Sequence, residues 1–260
     1  MEILRTLTEC EIEYLKCFCK AEENEKYIRF RDDELLYDMR ATNYTWIKNT
    51  DNDTDLLRLI ESEIEYSKHL DKDFCMISCH IPVNITALKQ LSAHPDISTS
   101  GWYVFDCAKK IPQITKNDDL QIIRANNPKL LDDILSLDLE NEGENPDIDF
   151  CTRRITRRKN IYLSDKGVDS YICYYKGNPV GNCDLFVYNG AAKIEEFAVT
   201  PKNRGKGFGS ALLNMMMETA LTNGANYIYL CPDESNSVKE MYQKFGFNKV
   251  HRFTELEFSL

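Results

Sequence analysis

The stretch Ile194-Glu-Glu-Phe-Ala-Val-Thr-Pro-Lys-Asn-Arg-Gly-Lys-Gly-Phe-Gly209 decides the fold of this chain. Its first half predicts a β-strand, and the run from Arg204 to Gly209 predicts a loop that opens a helix. Glycines let the backbone approach a ligand closely, and the first N–H groups of a helix have no partner within the helix. Together with the positive charges of Lys202, Arg204 and Lys206, these groups predict a cradle for a pyrophosphate.

The spacing of this loop separates it from the common nucleotide-binding motifs. A Walker loop needs Gly-x-x-x-x-Gly-Lys-Ser/Thr, and a dinucleotide fold needs Gly-x-Gly-x-x-Gly with an acidic residue about 20 positions further on. The sequence has Arg-x-x-Gly-x-Gly from Arg204 to Gly209 instead. This spacing resembles motif A of the GNAT superfamily of acyl-CoA N-acyltransferases.

The segments that follow extend the resemblance. Residues 226–231, Asn-Tyr-Ile-Tyr-Leu-Cys, resemble the strand that comes next in that family. Residues 236–247 resemble its motif B helix, with Tyr242 and a closing Gly-Phe. Because these motifs occur in the expected order over roughly the last 140 residues, the chain is identified as a member of the GNAT superfamily.

The resemblance implies an α/β chain with a mixed sheet, in which residues 118–260 form the GNAT domain after a polar stretch at 109–119. Residues 1–117 are interpreted as a smaller, degenerate GNAT-like domain, because their predicted elements follow a similar order. In 118–260 we predict helices at 128–139 and 152–159, strands at 169–175, 180–188 and 193–199, a helix that ends at Thr222 and a strand at 226–231. In 1–117 we predict strands at 37–47, 74–81 and 98–106, and helices at 56–70 and 84–94.

The N-terminal half differs from the C-terminal half where the glycine loop would lie. At that point it carries Asp51, Asp53 and Asp55. These carboxylates would cap and neutralise their own helix N-terminus and would repel a pyrophosphate. Residues 1–117 are therefore not expected to bind acyl-CoA.

Composition excludes several classes of protein. The chain has 260 residues, of which 43% are hydrophobic and 28% charged, which is typical of a globular protein and not of a disordered one. A net charge of −10 argues against a nucleic-acid partner and is compatible with a cationic amine substrate. No apolar run is long enough to span a membrane, and the first residues do not have the layout of a signal peptide, so we expect a cytoplasmic location.

The ten cysteines are expected to be reduced and structural. Cys17-x-Cys19 and Cys75-x3-Cys79-His80 are the closest approach to a metal-binding pattern, but neither has zinc-site spacing. Cys75 and Cys79 lie on one face of a predicted apolar strand, which favours burial. We therefore expect no metal.

Acyl transfer to an amine needs a base, because a free alkyl ammonium has a pKa of about 10.4. Alternation along the predicted strand places Lys193, Glu195 and Phe197 on one face. In the family an acidic or histidine base often projects from this strand at the parity of Glu195, which is therefore our candidate. A β-bulge would favour Glu196 instead, and pairing of both carboxylates with Lys or Arg would leave neither as the base.

The resemblance also assigns the acid and the cofactor contacts. Tyr242 matches the motif B tyrosine, whose hydroxyl would protonate the leaving thiolate; otherwise it is an aromatic residue of the core. Backbone groups of the strand would bind the pantetheine arm, and loop amides with a hydroxyl at the helix start would bind the pyrophosphate. Asn236 matches a position that contacts pantetheine, or it caps its helix. The implied acetyl-CoA contacts are Phe197, Ala198, Val199, Arg204, Gly205, Lys206, Gly207, Phe208, Gly209, Ser210 and Asn236.

In this family the first two helices of the domain and the loop between them shape the acceptor pocket. Here that region is rich in carboxylates, which would attract a cationic amine or simply be solvated. Four arginines follow; they balance these acids, or they hold an acidic substrate or the 3′-phosphate of the cofactor. The acids are Glu140, Glu142, Glu144, Asp147 and Asp149, and the arginines are Arg153, Arg154, Arg157 and Arg158.

The sequence thus predicts an N-acetyltransferase that moves an acetyl group from acetyl-CoA to a primary amine of a small molecule or peptide by direct attack. A non-catalytic acyl-CoA sensor or interaction module is the alternative. A third reading is an aminoacyl or acyl transferase built from paired GNAT-like halves, many of which lack an intact phosphate loop. The acceptor and the oligomeric state, a homodimer included, stay open.

Overall fold

A computed structural model describes residues 2–164, 167–235 and 238–260 of the chain. Among these residues no helix is both long enough and apolar enough to cross a membrane. The helices are α1 (Glu2–Phe18), α2 (Asp53–His69), α3 (Ile85–Leu88), α4 (Pro128–Asn141), α5 (Ile148–Tyr162), α6 (Phe208–Thr222) and α7 (Val238–Lys244). The strands are β1 (Lys20–Glu23), β2 (Tyr27–Arg31), β3 (Tyr44–Ile47), β4 (Phe74–Cys79), β5 (Asp96–Asp106), β6 (Leu120–Arg124), β7 (Val168–Tyr175), β8 (Asn178–Tyr188), β9 (Ala191–Val199), β10 (Tyr227–Leu230) and β11 (Asn248–Ser259).

The first compact unit comprises Met1–Cys17, Tyr103–Cys231 and Val238–Asn248. Its strands follow the order β5-β10-β9-β8-β7-β6, and β9 and β10 are the parallel pair in an otherwise antiparallel sheet. Helix α6 forms the crossover between these two strands and buries Leu212, Met216 and Ala220 against them. The mixed α/β sheet predicted from the sequence is confirmed.

The second compact unit comprises Phe18–Trp102, Pro232–Ser237 and Lys249–Leu260. Its strands follow the order β1-β2-β3-β4-β11-β5. Strands β3 and β4 are parallel and joined by α2, so this unit also contains a β-α-β crossover. Cys75 and Cys79 lie with Ile77 in the core between β4 and α2, and the ten cysteines of the chain are all free thiols.

The two units do not follow the predicted division at residues 117 and 118. Helix α1, which the sequence analysis did not predict, belongs to the unit that contains the glycine loop. The last strand, β11, pairs with β4, whereas β5 pairs with β10. The N-terminal helix and the C-terminal strand therefore each belong to the unit that is formed mostly by the other half of the chain.

Two elements of the N-terminal half are shorter than predicted. The strand predicted from residue 37 begins only at Tyr44, because the Asn43 amide donates to the carbonyls of Leu35 and Met39 and holds the preceding residues in a turn. Helix α3 covers only Ile85–Leu88 of the predicted 84–94. After it the backbone continues to Leu91 in i to i+3 turns, which bury Leu91 in the core.

Candidate active site

Strands β9 and β10 are paired only over the first three residues of β9. Their ladder pairs Tyr227, Ile228 and Tyr229 with Ala191, Ala192 and Lys193. Strand β10 then ends at Leu230, but β9 continues to Val199 beside β8. In the described chain, the edge of β9 that faces β10 is therefore open to a ligand from Ile194 onward.

A β-bulge lies in this open segment. Between the pairs Asn182–Ala198 and Asp184–Glu195, β9 has one residue more than β8. Glu196 adopts a positive φ of 51°, and its carbonyl accepts a hydrogen bond of 3.1 Å from the Asn182 amide. The bulge shifts the alternation of β9 by one residue.

The bulge corrects the predicted placement of Phe197. The Phe197 ring lies on the face of α6 and α7, 6.1 Å from the ring of Tyr242, and not on the face of Glu195. Asp184, the cross-strand partner of Glu195, contacts Arg158 of α5, and Glu196 contacts the same arginine. Both glutamates therefore share one face of the sheet.

The glycine loop presents open backbone to solvent. Gly205 and Gly207 have φ values of 75° and 83°, and a Cβ added to either would meet nothing within 4 Å. Gly207 caps α6 without a side-chain hydrogen bond. The predicted cradle is therefore free of the chain's own side chains at the start of α6, and a pyrophosphate fits its uncapped N–H groups.

Gly209 has a different environment from the other two glycines. A Cβ there would lie 3.7 Å from the side chains of Phe197, Val199 and Met241, which is ordinary van der Waals contact. The sequence analysis gave Gly209 as one of the contacts to acetyl-CoA. In the structure the position of its absent side chain faces β9 and α7, where a Cβ would make ordinary contacts.

The cations of the loop have partners within the chain. Arg204 donates to the Val199 carbonyl at 3.1 Å, and Lys206 donates to the Asn203 side chain at 3.0 Å. Lys202 pairs with Glu140 at 2.9 Å, and both side chains are at least partly exposed. Arg204 and Lys206 thus stay beside the loop, whereas the charge of Lys202 is shared with α4.

Glu195, the predicted base, is half-buried and paired with Lys193. Its carboxylate lies 2.8 Å from the ammonium of Lys193, which in turn lies 2.6 Å from Glu11 of α1. Burial alone would lower the pKa of Lys193, but the charges of Glu11 and Glu195 outweigh it and raise that pKa above its ordinary value. Lys193 is therefore a cation held between two carboxylates.

Glu196 is bound by a buried arginine. Arg158 Nη2 donates to its carboxylate at 2.6 Å, and Arg158 Nη1 contacts Tyr162 and Asp184. Burial favours the neutral form of Glu196, but Arg158 and Arg154 hold the pKa of this carboxyl below its ordinary value. A carboxylate stabilised in its ionised form is a weak base, so this geometry favours Glu195 over Glu196.

Tyr242 lies on α7 with 5% of its surface exposed. Its ring meets those of Phe197 and Phe247 at 6.1 Å and 6.2 Å. Burial raises the pKa of its hydroxyl above the ordinary value, and the charge of Glu195 acts in the same direction. The hydroxyl therefore keeps its proton at neutral pH and can donate it.

The acidic loop and the arginines that follow it are largely paired with each other. Asp147 caps α5 through the Phe150 amide at 2.8 Å. Arg153 binds Asp149 at 2.7 Å, and Arg154 binds Asp138 at 2.9 Å. These contacts support the charge-balancing interpretation for Arg153 and Arg154, whereas Arg158 is part of the buried network around Glu196.

Asn236 lies outside the described residues. Within them, no group of three or more His, Cys, Asp or Glu side chains is arranged to hold a metal ion.

Sequence reasoning missed several residues around Glu195 and Glu196. Glu11 and Tyr229 are joined by a hydrogen bond of 2.8 Å, although they are 218 positions apart. Tyr162 donates to Asp184 at 2.6 Å, and burial raises the pKa of Asp184 to about 7 despite the opposing charge of Arg158. A single acidic residue within the apolar strand β8 was the one available signal for Asp184.

Comparison with known proteins shows which family part of this chain resembles. Residues 131–247 match the acetyltransferase (GNAT) family. This segment contains the glycine loop and Tyr242, and it is similar to GNAT acetyltransferases, as its motifs predicted.

Two curated relatives carry acetyltransferase names. An uncharacterized N-acetyltransferase, CgeE, of Bacillus subtilis (strain 168) is 33% identical over 108 residues, which cover 40% of this chain and 41% of that protein. The [ribosomal protein bS18]-alanine N-acetyltransferase of Haemophilus influenzae is 36% identical over 59 residues, which cover 23% of this chain and 40% of that protein. The match thus spans less than half the length of either relative.

Solved structures share the fold over nearly the whole chain. A functionally unknown conserved protein from Staphylococcus epidermidis has a TM-score of 0.72 at 15% identity, covering 93% of this chain and 94% of that one. A GCN5-related N-acetyltransferase from Kribbella flavida has a TM-score of 0.70 at 9% identity, covering 97% and 94%. A tandem GNAT protein from the clavulanic acid biosynthesis pathway has a TM-score of 0.59 at 10% identity, covering 96% and 94%.

Proposed function

We propose that this protein transfers an acetyl group from acetyl-CoA to a primary amine of a small molecule or peptide by direct attack. The observation that carries the proposal is the opening between β9 and β10 beside the uncapped start of α6. The opening offers backbone groups to an extended ligand arm, and the helix start offers N–H groups to its phosphates. Acetyl-CoA supplies an activated acyl thioester.

The residues that we propose for acetyl-CoA binding lie along this opening and at the start of α6. The amides of Arg204, Gly205, Lys206, Gly207, Phe208 and Gly209, with the Ser210 hydroxyl, hold the pyrophosphate. The backbone of Phe197, Ala198 and Val199 holds the pantetheine arm as an added strand partner. Open space above Gly205 and Gly207 supports this assignment.

Glu195 is the proposed base. It accepts a proton from the acceptor ammonium, directly or through water, so that a neutral amine can attack. Its side chain is 35% exposed and shares a face with Lys193, so both solvent and an acceptor reach it. Glu196, in its ion pair with Arg158, keeps the bulge in place instead.

Tyr242 is the proposed acid. A thiol titrates near pH 8.5, so the leaving thiolate needs only modest assistance from a proton donor. The burial that raises the pKa of Tyr242 keeps its hydroxyl protonated at neutral pH. Its contact with the Phe197 ring places it beside the open segment of β9.

We assign no acyl-CoA binding to the N-terminal half. The corresponding helix, α2, is capped by its own sequence: the Asn52 side chain accepts from the Asp55 amide at 3.0 Å. Asp55 also binds Lys26 at 2.7 Å. A helix start that is already capped and acidic does not attract a phosphate, which supports a degenerate GNAT-like role. The ten free thiols support a reducing compartment such as the cytoplasm.

A turnover assay tests the proposal. Release of free CoA from acetyl-CoA is followed with a panel of amines: polyamines, amino sugars, amino acids and peptides with free N-termini. An amine that accelerates release and gains an acetyl group by mass spectrometry is the expected result, with Glu195→Gln reducing the rate. Binding of acetyl-CoA with no amine acceleration in the whole panel would favour the sensor function.

A further inference from the structure

Helix α1 brings a buried carboxylate to the strand that carries the proposed base. Glu11 Oε1 accepts a hydrogen bond of 2.6 Å from Lys193, and Oε2 accepts one of 2.8 Å from the Tyr229 hydroxyl. The Glu11 side chain is 11% exposed and that of Lys193 is 5% exposed. Glu11 lies outside residues 131–247, the segment that matches the acetyltransferase family, whereas Lys193 and Tyr229 lie inside it.

Lys193 joins Glu11 to Glu195. Its ammonium lies 2.8 Å from Glu195 and 4.3 Å from the centre of the Tyr14 ring, also on α1. One cation is thus shared by two carboxylates inside a largely buried site. Charges in such a site interact more strongly than they would in water. The strength of the ion pair that Lys193 forms with each carboxylate therefore affects how readily that carboxylate accepts a proton.

We infer that Glu11 is a positioning residue for acetyl transfer: it holds Lys193 and limits how strongly that cation stabilises ionised Glu195. The inference rests on the proposed function, in which Glu195 is the base. Without the charge of Glu11, Lys193 interacts with Glu195 alone. The ammonium of Lys193, 2.8 Å from Glu195, then competes with the acceptor's proton for that carboxylate.

Other titratable groups lie around Glu195 and Lys193. They are Tyr14 on α1, Arg158 on α5, Cys183 and Asp184 on β8, Glu196 on β9, Tyr229 on β10 and Tyr242 on α7. Glu11 differs from them in sharing the cation that contacts Glu195. A change in the pH profile on substitution of Glu11 therefore reports on that shared cation.

The test compares the pH dependence of kcat/KM in Glu11→Gln and in the wild type, with Glu13→Gln as the control on the same helix. Glu13 is partly exposed and binds Lys16 at 2.8 Å. In Glu11→Gln we expect the acid limb of the profile to move to lower pH, with a lower plateau of kcat/KM and unchanged affinity for acetyl-CoA. In Glu13→Gln we expect the wild-type profile.

Glu11→Asp keeps the test decisive if Glu11→Gln does not fold. The shorter carboxylate weakens the contact with Lys193 but keeps the charge, so we expect a smaller shift in the same direction. If the folded variants keep the wild-type pH profile and lose only thermal stability, Glu11 is a structural residue. If Glu195→Gln has also lost activity, this result overturns the inference about Glu11 and leaves the base assignment of Glu195 intact. Full activity in Glu195→Gln would overturn the base assignment and the inference with it.

Discussion

The guanidinium of Arg158 lies 2.6 Å from the carboxylate of Glu196, the residue at which strand β9 bulges. The same guanidinium, whose side chain is 6% exposed, contacts Asp184 at 3.4 Å. One buried cation thus compensates two carboxylates at the base of the proposed site. The bulged residue of β9 and its cross-strand neighbour on β8 are thus held by the same arginine of α5.

Removal of Arg158 is expected to destabilise the protein strongly. Arg158→Met would leave the buried Asp184 and the partly buried Glu196 without this cation, at a cost of about 3–5 kcal/mol in the free energy of unfolding. Because falling pH neutralises these carboxylates, the deficit relative to the wild type should shrink from pH 8 to pH 5. Urea unfolding at both pH values measures it; Arg153→Met, which removes an exposed arginine of the same helix, should cost less than about 1 kcal/mol.

The parts of this site that depend on neighbouring residues were predictable from the sequence. Local spacing predicted the glycine loop, the start of α6 and the position of Tyr242, and residues 131–247 match the family that these features indicated. The parts that depend on distant residues were not. Glu11 meets Lys193 across 182 positions, and no periodicity in α1 distinguishes Glu11 from the other acids of that helix. The bulge at Glu196 depends on Arg158, 38 positions earlier, so simple alternation placed Phe197 on the wrong face.

Asp184 should make the free energy of unfolding decrease as the pH rises, which is the opposite of what a carboxyl in an ion pair usually does. Its folded pKa of about 7 lies above its unfolded value, so the native state binds the proton more tightly. This contribution is therefore present at low pH and is lost as the pH rises from about 4 to 7. Asp184→Asn should remove it, so that the free energy of unfolding falls less between pH 5 and pH 7.5 than in the wild type. Equal slopes for the two proteins in urea titrations would contradict the assignment.

The glycines of the loop should respond differently to alanine. Gly207→Ala places a Cβ at a φ of 83°, which costs about 1–2 kcal/mol. Gly209→Ala places one in ordinary contact distance of Phe197 and Val199, so it should be tolerated within about 0.5 kcal/mol. Thermal unfolding of the two variants measures the difference. Equal losses would show that Gly209 also needs a glycine.

Tyr242→Phe should lower kcat by about 10- to 100-fold with little change in acetyl-CoA affinity. Because its raised pKa keeps the hydroxyl protonated, the loss should be the same at every pH from 6 to 9. Tyr227→Phe on β10 serves as the control and should keep full activity. A loss for Tyr242→Phe that disappears toward pH 9 would contradict the raised pKa of this hydroxyl, and an unchanged kcat would argue against a proton donor at this position.

The central claim is that the open start of α6 binds the pyrophosphate of acetyl-CoA, and a thermal-unfolding titration tests it most directly. The wild type is compared with Gly207→Glu and with Gly224→Glu. Both glycines have a φ of 83° and no atom within 4 Å of an added Cβ. Gly224→Glu is the control, because Gly224 follows the C-terminal end of α6, away from the proposed site. At 100 times the dissociation constant we expect a stabilisation of about 2.7 kcal/mol for the wild type and Gly224→Glu, and none for Gly207→Glu. Equal stabilisation of all three proteins, or none in the folded wild type, would contradict the claim.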